Sequence, residues 1–197
     1  MKKLLLIFLI GILTFQTTWS QSHELTIQPK LDQYFLATQT KDWKTVLDMI
    51  NPKIFSLAPR DMMEQMYSQM ENEAGMRFDF ENMKVLDFKE GLVLTDTIYV
   101  PVDYSMTMDI YLNPDLYSTE KEIQQLYESF QITYLGQGIQ FIKENLKFSL
   151  DIKNTLIASS PLNQESWTFL EYKANDPLTS FLLPTEVIDR LQRGWIE

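Results

Sequence analysis

The stretch of sequence that decides the fold is residues 93–112, VLTDTIYVPVDYSMTMDIYL. Within it, apolar or aromatic side chains occupy every second position from Ile98 to Ile110, with mostly polar residues between them. Successive side chains of a strand point to opposite faces, so this period predicts a long antiparallel strand with one buried face. The predicted buried row is Ile98, Val100, Val102, Tyr104, Met106, Met108 and Ile110, and Pro101 favours an edge strand or a bulge.

Strands of the same period are expected on either side of this run. Met76, Phe78 and Phe80 alternate with charged residues, and a register break is expected near Asn82. Residues 146–156 form another half-buried alternation, and a last strand is expected over residues 167–172. These segments together predict one antiparallel sheet.

Helical signals fill residues 29–75. They predict a hairpin of two helices, with a cap at residues 40–42 between them. A short strand is expected over residues 54–57, followed by a third helix that begins at Pro59 and ends at Gly75.

Two more helices are expected in the second half of the chain. Thr119 with Glu122 predicts a capping box for a helix inserted between strands, and Pro184 opens a short C-terminal helix. The predicted fold class is therefore α+β: a helical hairpin and a third helix packed on a curved antiparallel sheet, with an inserted helix and a short C-terminal helix.

The N-terminus has the three-part order of a secretory signal peptide. Lys2 and Lys3 precede an apolar run over residues 4–13, and Thr18 and Ser20 are small residues before a cleavage site at Gln21. We therefore expect a cleaved signal over residues 1–20 and a single α+β domain over residues 23–197. The run of ten is short for a membrane span, so the mature domain is expected in the periplasm or outside a bacterial cell, with no membrane contact.

Composition excludes several classes of function. The chain has no Cys and one His, His23, which argues against disulfides, thiol nucleophiles, zinc sites and Ser-His-Asp triads. Loss of the two signal lysines takes the net charge from −10 to −12, the wrong sign for binding nucleic acid. No cofactor, no metal and no catalytic residue is predicted.

A resemblance follows from the order of these elements. The chain has Asp42-Trp43 at the helical elbow, Asn51-Pro52 with Ile54-Phe55 after the second helix, then a third helix and a long antiparallel meander. This order resembles the nuclear transport factor 2-like superfamily, a cone-shaped α+β fold that includes ketosteroid-isomerase-like domains. The resemblance covers residues 29–112 and 146–173 and implies a pocket between the helices and the sheet.

The titratable residues on the long strand give few candidates for chemistry. Asp103 and Asp109 fall on the polar face and are expected to face water. Tyr104 shares the buried row, and a buried phenol needs a hydrogen-bond partner, either a backbone group or a partner in a site. Trp195, beside Gly194, either covers the core or docks on a partner.

Methionines supply the remaining candidates, in two groups: Met62, Met63, Met66 and Met70, then Met106 and Met108. Their spacing favours packing in the core, although thioethers also bind Cu(I) and can line an adaptable apolar pocket. The pocket candidates are Tyr104, Met106, Met66 and Trp167.

Three hypotheses of function remain open. The first is an exported non-enzymatic domain that binds a small apolar ligand or an envelope protein. The second is an isomerase or dehydratase that uses Tyr104 with a carboxylate within about 4 Å. The third is Cu(I) binding by the methionines.

Overall fold

The computed structural model describes residues 17–70, 75–174 and 176–195. In these ranges the chain forms six α-helices and one open six-stranded antiparallel sheet, which confirms the predicted α+β class. The helices are α1 (Thr17–Gln39), α2 (Trp43–Met49), α3 (Arg60–Met70), α4 (Glu120–Thr133), α5 (Pro177–Leu182) and α6 (Thr185–Gln192). The strands are β1 (Met76–Phe88), β2 (Leu92–Leu94), β3 (Thr97–Leu112), β4 (Gly138–Ile142), β5 (Lys147–Pro161) and β6 (Thr168–Tyr172).

The long strand β3 lies in the middle of the sheet. The strand order is β1-β3-β5-β4, with β2 paired to β3 and β6 paired to β5. The even-numbered side chains of β3 and β5 share one face, which we call the inner face, and the odd-numbered ones form the outer face.

The inner face carries most of the core. At one end of the sheet, Ile27, Leu31 and Phe35 of α1 pack against the inner row of β3 and against Phe169 of β6. At the other end, α4 covers Phe148 and its neighbours. The predicted buried row of β3 is confirmed, with Met106 the one partly exposed member.

The C-terminal helices cover part of the outer face. Val187 of α6 packs with Leu183 and Ile157, and Trp195 lies at the edge of this cluster. The Trp195 indole Nε1 donates to the backbone oxygen of Glu90 at 2.6 Å. Of the two roles considered for Trp195, the structure shows a cover for the core.

The first helix begins earlier than predicted. It starts at Thr17 rather than Pro29, so Pro29 lies inside it. A proline removes one helical hydrogen bond, but inward residues at Ile27 and Leu31 bury the same face on both sides of it, so packing decides. The predicted cleavage site before Gln21 falls within α1, while residues 1–16 of the predicted signal lie outside the described residues.

The short strand predicted over residues 54–57 is wrong. Residues Pro52–Ser56 form a 3₁₀ helix instead. The side chain of Asn51 accepts a hydrogen bond from the Lys53 amide at 3.0 Å, and Pro52 occupies the first helical position. These local capping signals outweigh the apolar composition of the segment.

The position of Pro101 excludes the first of its two predicted settings, because β3 is a central strand and not an edge. The second setting, a bulge, lies close by, where β1 shifts register between Val85 and Asp87. The carbonyl of Pro101 accepts from the Lys89 amide at 2.9 Å, so Pro101 faces the turn between β1 and β2. No backbone N–H is needed there for a hydrogen bond between strands, so a proline is tolerated. The run that begins at Val93 is likewise split in two by a tight turn after Leu94.

The predicted caps and the register break are confirmed. Asp42 caps α2, and Thr119 with Glu122 forms the capping box of α4. Asn82 has a positive φ of 53° at the register shift of β1. The third helix is described as far as Met70, and Gly75, its predicted end, has a positive φ of 63°; residues 71–74 between them lie outside the described ranges. The strand β4 and the helix α5 were not predicted.

Candidate functional site

On the edge of β5 that faces away from β3, a gap separates the strands β4 and β6. We call this gap the notch. The strand β4 pairs with residues 147–151 of β5, and β6 pairs with residues 155–159. Residues 152–154 therefore have no strand beside them on this edge. The side chain of Gln137 takes that place: its Nε2 donates to the Lys153 oxygen at 3.0 Å, and its Oε1 accepts from the Lys153 amide at 2.9 Å.

The Gln137 side chain is expected to hold the notch together. We predict that Gln137→Ala lowers the free energy of unfolding by about 1 kcal/mol, because two hydrogen bonds are replaced by bonds to water. The Lys153 amide should exchange its hydrogen faster, which amide exchange measured by NMR would report. Gln140→Ala, at an exposed position of β4, is the control and should leave the Lys153 exchange unchanged. Equal exchange in both variants would show that the amide bridge does not form.

An acidic residue, Glu171, lies beside the notch on the inner face of the sheet, a position that we call the inner side of the notch. Trp167, Phe169 and Glu171 alternate along β6, and Glu171 pairs with Leu156 of the inner face. The first two of these residues are buried, whereas Glu171 remains exposed. The apolar inward row of β6 therefore ends in a carboxylate that solvent can reach.

Two neutral donors hold this carboxylate. The Tyr104 hydroxyl donates to Glu171 Oε1 at 3.2 Å, and the Asn154 side-chain amide donates to the same oxygen. Tyr104 and Asn154 face each other across β3 and β5. Among the residues described, none donates to the second oxygen, Oε2, and no Lys or Arg forms an ion pair with Glu171. The site thus presents one positioned acceptor oxygen without a partner.

Four tyrosines from different elements lie near this charge: Tyr34 of α1, Tyr67 of α3, Tyr104 of β3 and Tyr134 at the end of α4. We call them the tyrosine cluster. Burial raises the pKa of Tyr34 and Tyr104, and the negative charge of Glu171 raises it further. The same two causes raise the pKa of Tyr67 and Tyr134. Tyr104 contacts Glu171 directly, whereas Tyr67 stacks on Trp43 and Tyr134 packs on Phe130.

Removal of the charge at Glu171 tests this arrangement. In Glu171→Gln, we expect the pKa of the four phenols to fall but to stay above the ordinary value of 10.0, because burial remains. Ultraviolet titration of tyrosine at alkaline pH measures this shift. Glu81→Gln removes an exposed carboxylate from β1 and should leave the titration curve in place. If both variants titrate alike, the cluster is not arranged around Glu171.

Most of the predicted pocket residues lie in one part of the core. Tyr104 is buried and belongs to the site just described. Trp167 is buried in the same core cluster as Tyr104, and its Nε1 donates to the hydroxyl of Thr26 at 3.1 Å. Met106 lies on the inner face between the two ends of the core. Met66 is 52% exposed on α3. Tyr104, Trp167 and Met106 therefore belong to one core cluster, and Met66 lies apart from it.

The methionines predicted as core residues divide between core and surface. Met63 and Met108 are buried, but Met62 and Met66 are exposed, because the buried side of α3 is narrower than its methionine stripe. The prediction that Met62 and Met66 pack in the core is therefore wrong. Among the described residues, no group of three or more His, Asp or Glu side chains is placed to hold a metal ion.

The two acids predicted to face water have different surroundings. Both point to the outer face, as expected. Asp109 is only 4% exposed and forms an ion pair with Lys147, so the prediction that it faces water is wrong. Asp103 accepts from the Thr155 hydroxyl at 2.7 Å and pairs with Lys89 at 3.4 Å. Neither carboxylate is left without a partner residue.

An open groove of about 430 Å³ lies on the outer side of the notch. It is lined by residues of the outer face and of the segments beside it, and it also reaches the two donors to Glu171. These residues are Leu86, Asp103, Lys153, Thr155, Tyr172, Lys173 and Ala174, together with Tyr104 and Asn154. The carboxylate of the groove, Asp103, is already neutralised by Lys89. Because Tyr104 and Asn154 line the groove, it adjoins the Glu171 site.

Glu171 is the functional candidate that sequence reasoning missed. The signal was present in the alternation of β6, since an acid at the third position of a row begun by Trp167 and Phe169 points inward. Its partners, Tyr104 and Asn154, come from strands far away in sequence. Only the register of β3 with β5 brings them together.

Comparison of the chain with protein-family models, with curated proteins and with solved structures finds no match. The resemblance to the nuclear transport factor 2-like superfamily therefore stays a prediction. A search of the described helices for a segment long and apolar enough to span a membrane finds none.

Proposed function

We propose that this chain is an exported, non-enzymatic domain that binds a small ligand with an apolar body at the inner side of the notch. The observation that carries the proposal is the geometry of Glu171, whose Oε2 has no described partner while Oε1 is held by Tyr104 and Asn154. An oxygen positioned in this way, next to aromatic surface, fixes the orientation of a ligand whose apolar part packs on the rings.

The hydrogen bonds at Glu171 favour binding over catalysis. Tyr104 has a single hydroxyl proton, and that proton is donated to Glu171, so it is not available to polarise a carbonyl of a substrate. A carboxylate held in one position by two donors suits recognition.

A thermal-shift screen with occluded variants tests the binding proposal. Small neutral compounds with an apolar body are screened for an increase in the melting temperature of the wild type. The same compounds should fail to stabilise Glu171→Trp, in which the indole covers the inner side of the notch. They should still stabilise Glu165→Trp, at an exposed position outside the site, and Ala174→Trp, which fills the outer groove.

Two results would count against this function. The first is a screen in which no compound raises the melting temperature of the wild type. The second is stabilisation that survives in Glu171→Trp but disappears in Ala174→Trp, because the ligand would then occupy the outer groove.

The isomerase or dehydratase hypothesis is the second candidate, and one observation favours it. Glu171 Oε1 lies 3.2 Å from the Tyr104 hydroxyl, which meets the distance expected for an acid–base pair. Such an enzyme would exchange the α-protons of a ketone substrate with solvent. NMR in heavy water measures that exchange for a panel of small ketones. Exchange that is faster with the wild type than with Glu171→Gln would establish this candidate, and equal rates would argue against it.

A further inference from the structure

The edge strand β1 has features that keep a further strand from pairing with it. Its register with β3 shifts at two places, and Asn82 has a positive φ of 53° at the first of them. Charged residues stand along its whole length, at Arg77, Asp79, Glu81, Lys84 and Asp87. Irregular backbone and charge on an edge strand oppose pairing with another chain. This edge of the sheet is therefore protected.

The short strands β2 and β6 leave little free edge. The outer side of β6 is engaged in part, because Ile50 forms a parallel bridge with Phe169 and the Asn51 amide donates to the Phe169 oxygen at 3.0 Å. The strand β2 has only three residues. Neither strand offers a long row of unpaired backbone groups.

The strand β4 has no such protection. All five of its residues pair with β5 on one side, and no strand in the described part of the chain pairs with it on the other side. Alternate residues of an edge strand direct their backbone N–H and C=O groups away from the partner strand. Residues 129–142, which end in this strand, contain no Asp, Glu, Lys or Arg, although 22% of the chain is charged. The strand is therefore an open and uncharged edge.

Exposed apolar side chains lie close to β4 in sequence. Ile132 is 80% exposed and Leu135 is 86% exposed, the highest values among the large apolar side chains of the described residues. Both belong to the same uncharged stretch. Apolar surface of this kind marks a site of association between proteins.

We propose that β4 pairs with β4 of a second copy of this chain, antiparallel and about a two-fold axis at Gln140, so that the two sheets become continuous. In this register every residue of both strands is paired. Ile139 lies opposite Phe141 of the second copy, and both belong to the inner face. Gly138 lies opposite Ile142, and it has no side chain to collide with. Other registers leave part of the strand unpaired or place an inner side chain opposite an outer one.

The charge of the chain favours a second copy over an unlike partner. The net charge is −10, so two copies repel each other over most of their surface and approach most closely where charge is absent. A basic partner would instead be attracted to the acidic surfaces. A two-fold interface uses the same patch on both subunits, and the pairing of β4 with itself meets that requirement. This inference does not depend on the ligand proposed for the notch.

Opposite charges placed at Gln140 test the axis. The Gln140 side chain is exposed, and in the dimer it would face its own copy. Gln140→Lys and Gln140→Glu each place like charges opposite one another, whereas an equimolar mixture of the two variants pairs opposite charges. The same two changes at Gln65, exposed on α3, are the controls. Sedimentation velocity of the full chain over a series of concentrations, at an ionic strength of about 0.15 M, measures the dimer dissociation constant.

The expected result is a wild-type dimer that responds to charge at Gln140. Each Gln140 variant alone should raise the dissociation constant about fivefold, and the mixture should restore it. The effect of Gln140→Lys is the more diagnostic one, because an added lysine reduces the overall repulsion between two acidic chains. The Gln65 variants, alone or mixed, should behave like the wild type.

Four outcomes overturn the inference. A wild type that stays monomeric over the whole series excludes the dimer. A dimer that Gln140→Lys does not weaken is formed through another surface. Weakening that the mixture does not reverse shows that the two Gln140 side chains do not face each other. Equal weakening by the Gln65 variants shows an effect of net charge alone.

Discussion

Phe148→Ala is expected to lower the free energy of unfolding by about 3 to 5 kcal/mol. Phe148 is fully buried on β5, and its ring lies 5.1 Å from that of Phe130 and 5.0 Å from that of Phe141. Alanine would leave a cavity between the sheet and α4 that these rings cannot fill, because they are fixed on the helix and on β4. Urea unfolding followed by circular dichroism measures the loss.

Phe181→Ala is the control for this prediction. It makes the same change at a position on α5 that is 56% exposed, where little apolar contact is lost. A loss of similar size in both variants would mean that the inserted helix α4 does not pack on Phe148. The predicted difference therefore tests the part of the fold that departs most from the resemblance seen in the sequence.

The second large effect is expected for Lys147→Met, at about 3 to 5 kcal/mol. Lys147 forms an ion pair with Asp109, and the side chains are 14% and 6% exposed. The Asp109 Oδ1 atom is buried without a hydrogen-bond partner, so loss of Lys147 leaves a buried carboxylate with no compensation. Denaturant unfolding at neutral pH measures the change.

A double variant separates this charge effect from lost packing. Lys147→Met with Asp109→Asn removes both charges, and it should recover most of the stability that Lys147→Met loses. Lys143→Met, at an exposed position nearby, should change stability little. If the double variant is as unstable as the single one, the packing of the lysine chain, and not its charge, is what matters.

The same pair predicts a pH dependence of stability. The hydrogen bond to Asp109 raises the pKa of Lys147 above its ordinary value of 10.5. A raised lysine pKa gives stability that is complete below the ordinary value and is lost as the pH rises through the raised value. The wild type should therefore lose stability above about pH 10.5 more steeply than the double variant, which has no lysine to deprotonate. Parallel curves of stability against pH for the wild type and the double variant would contradict this role of the ion pair.

Local signals predicted much of the fold, since they act over a few residues. The period of β3, the cap at Asp42, the capping box at Thr119 and the register break at Asn82 all appear where the sequence places them. The 3₁₀ helix at Pro52–Ser56 was missed although its capping signals are local, whereas other errors come from long-range contacts. The edge setting of Pro101 was wrong because the turn between β1 and β2, which the strand itself does not encode, makes room for a proline in a central strand.

The candidate site was harder to predict than the fold for the same reason. Tyr104 was identified because it lies in a periodic row, but its partner is 67 residues away in sequence. The notch itself depends on where β4 and β6 stop along β5, which no local pattern encodes. Burial of Asp109 likewise requires Lys147, which lies on another strand.

The central claim is that a small ligand binds on the inner side of the notch, beside Glu171. The most direct measurement is the set of intermolecular nuclear Overhauser effects between a stabilising compound and the aromatic protons of the protein. The account predicts contacts to the ring of Tyr34, which lies 5.3 Å from that of Phe169 on the inner face and does not line the outer groove. Contacts to Tyr172 and Leu86 instead would place the ligand in the outer groove and contradict the claim.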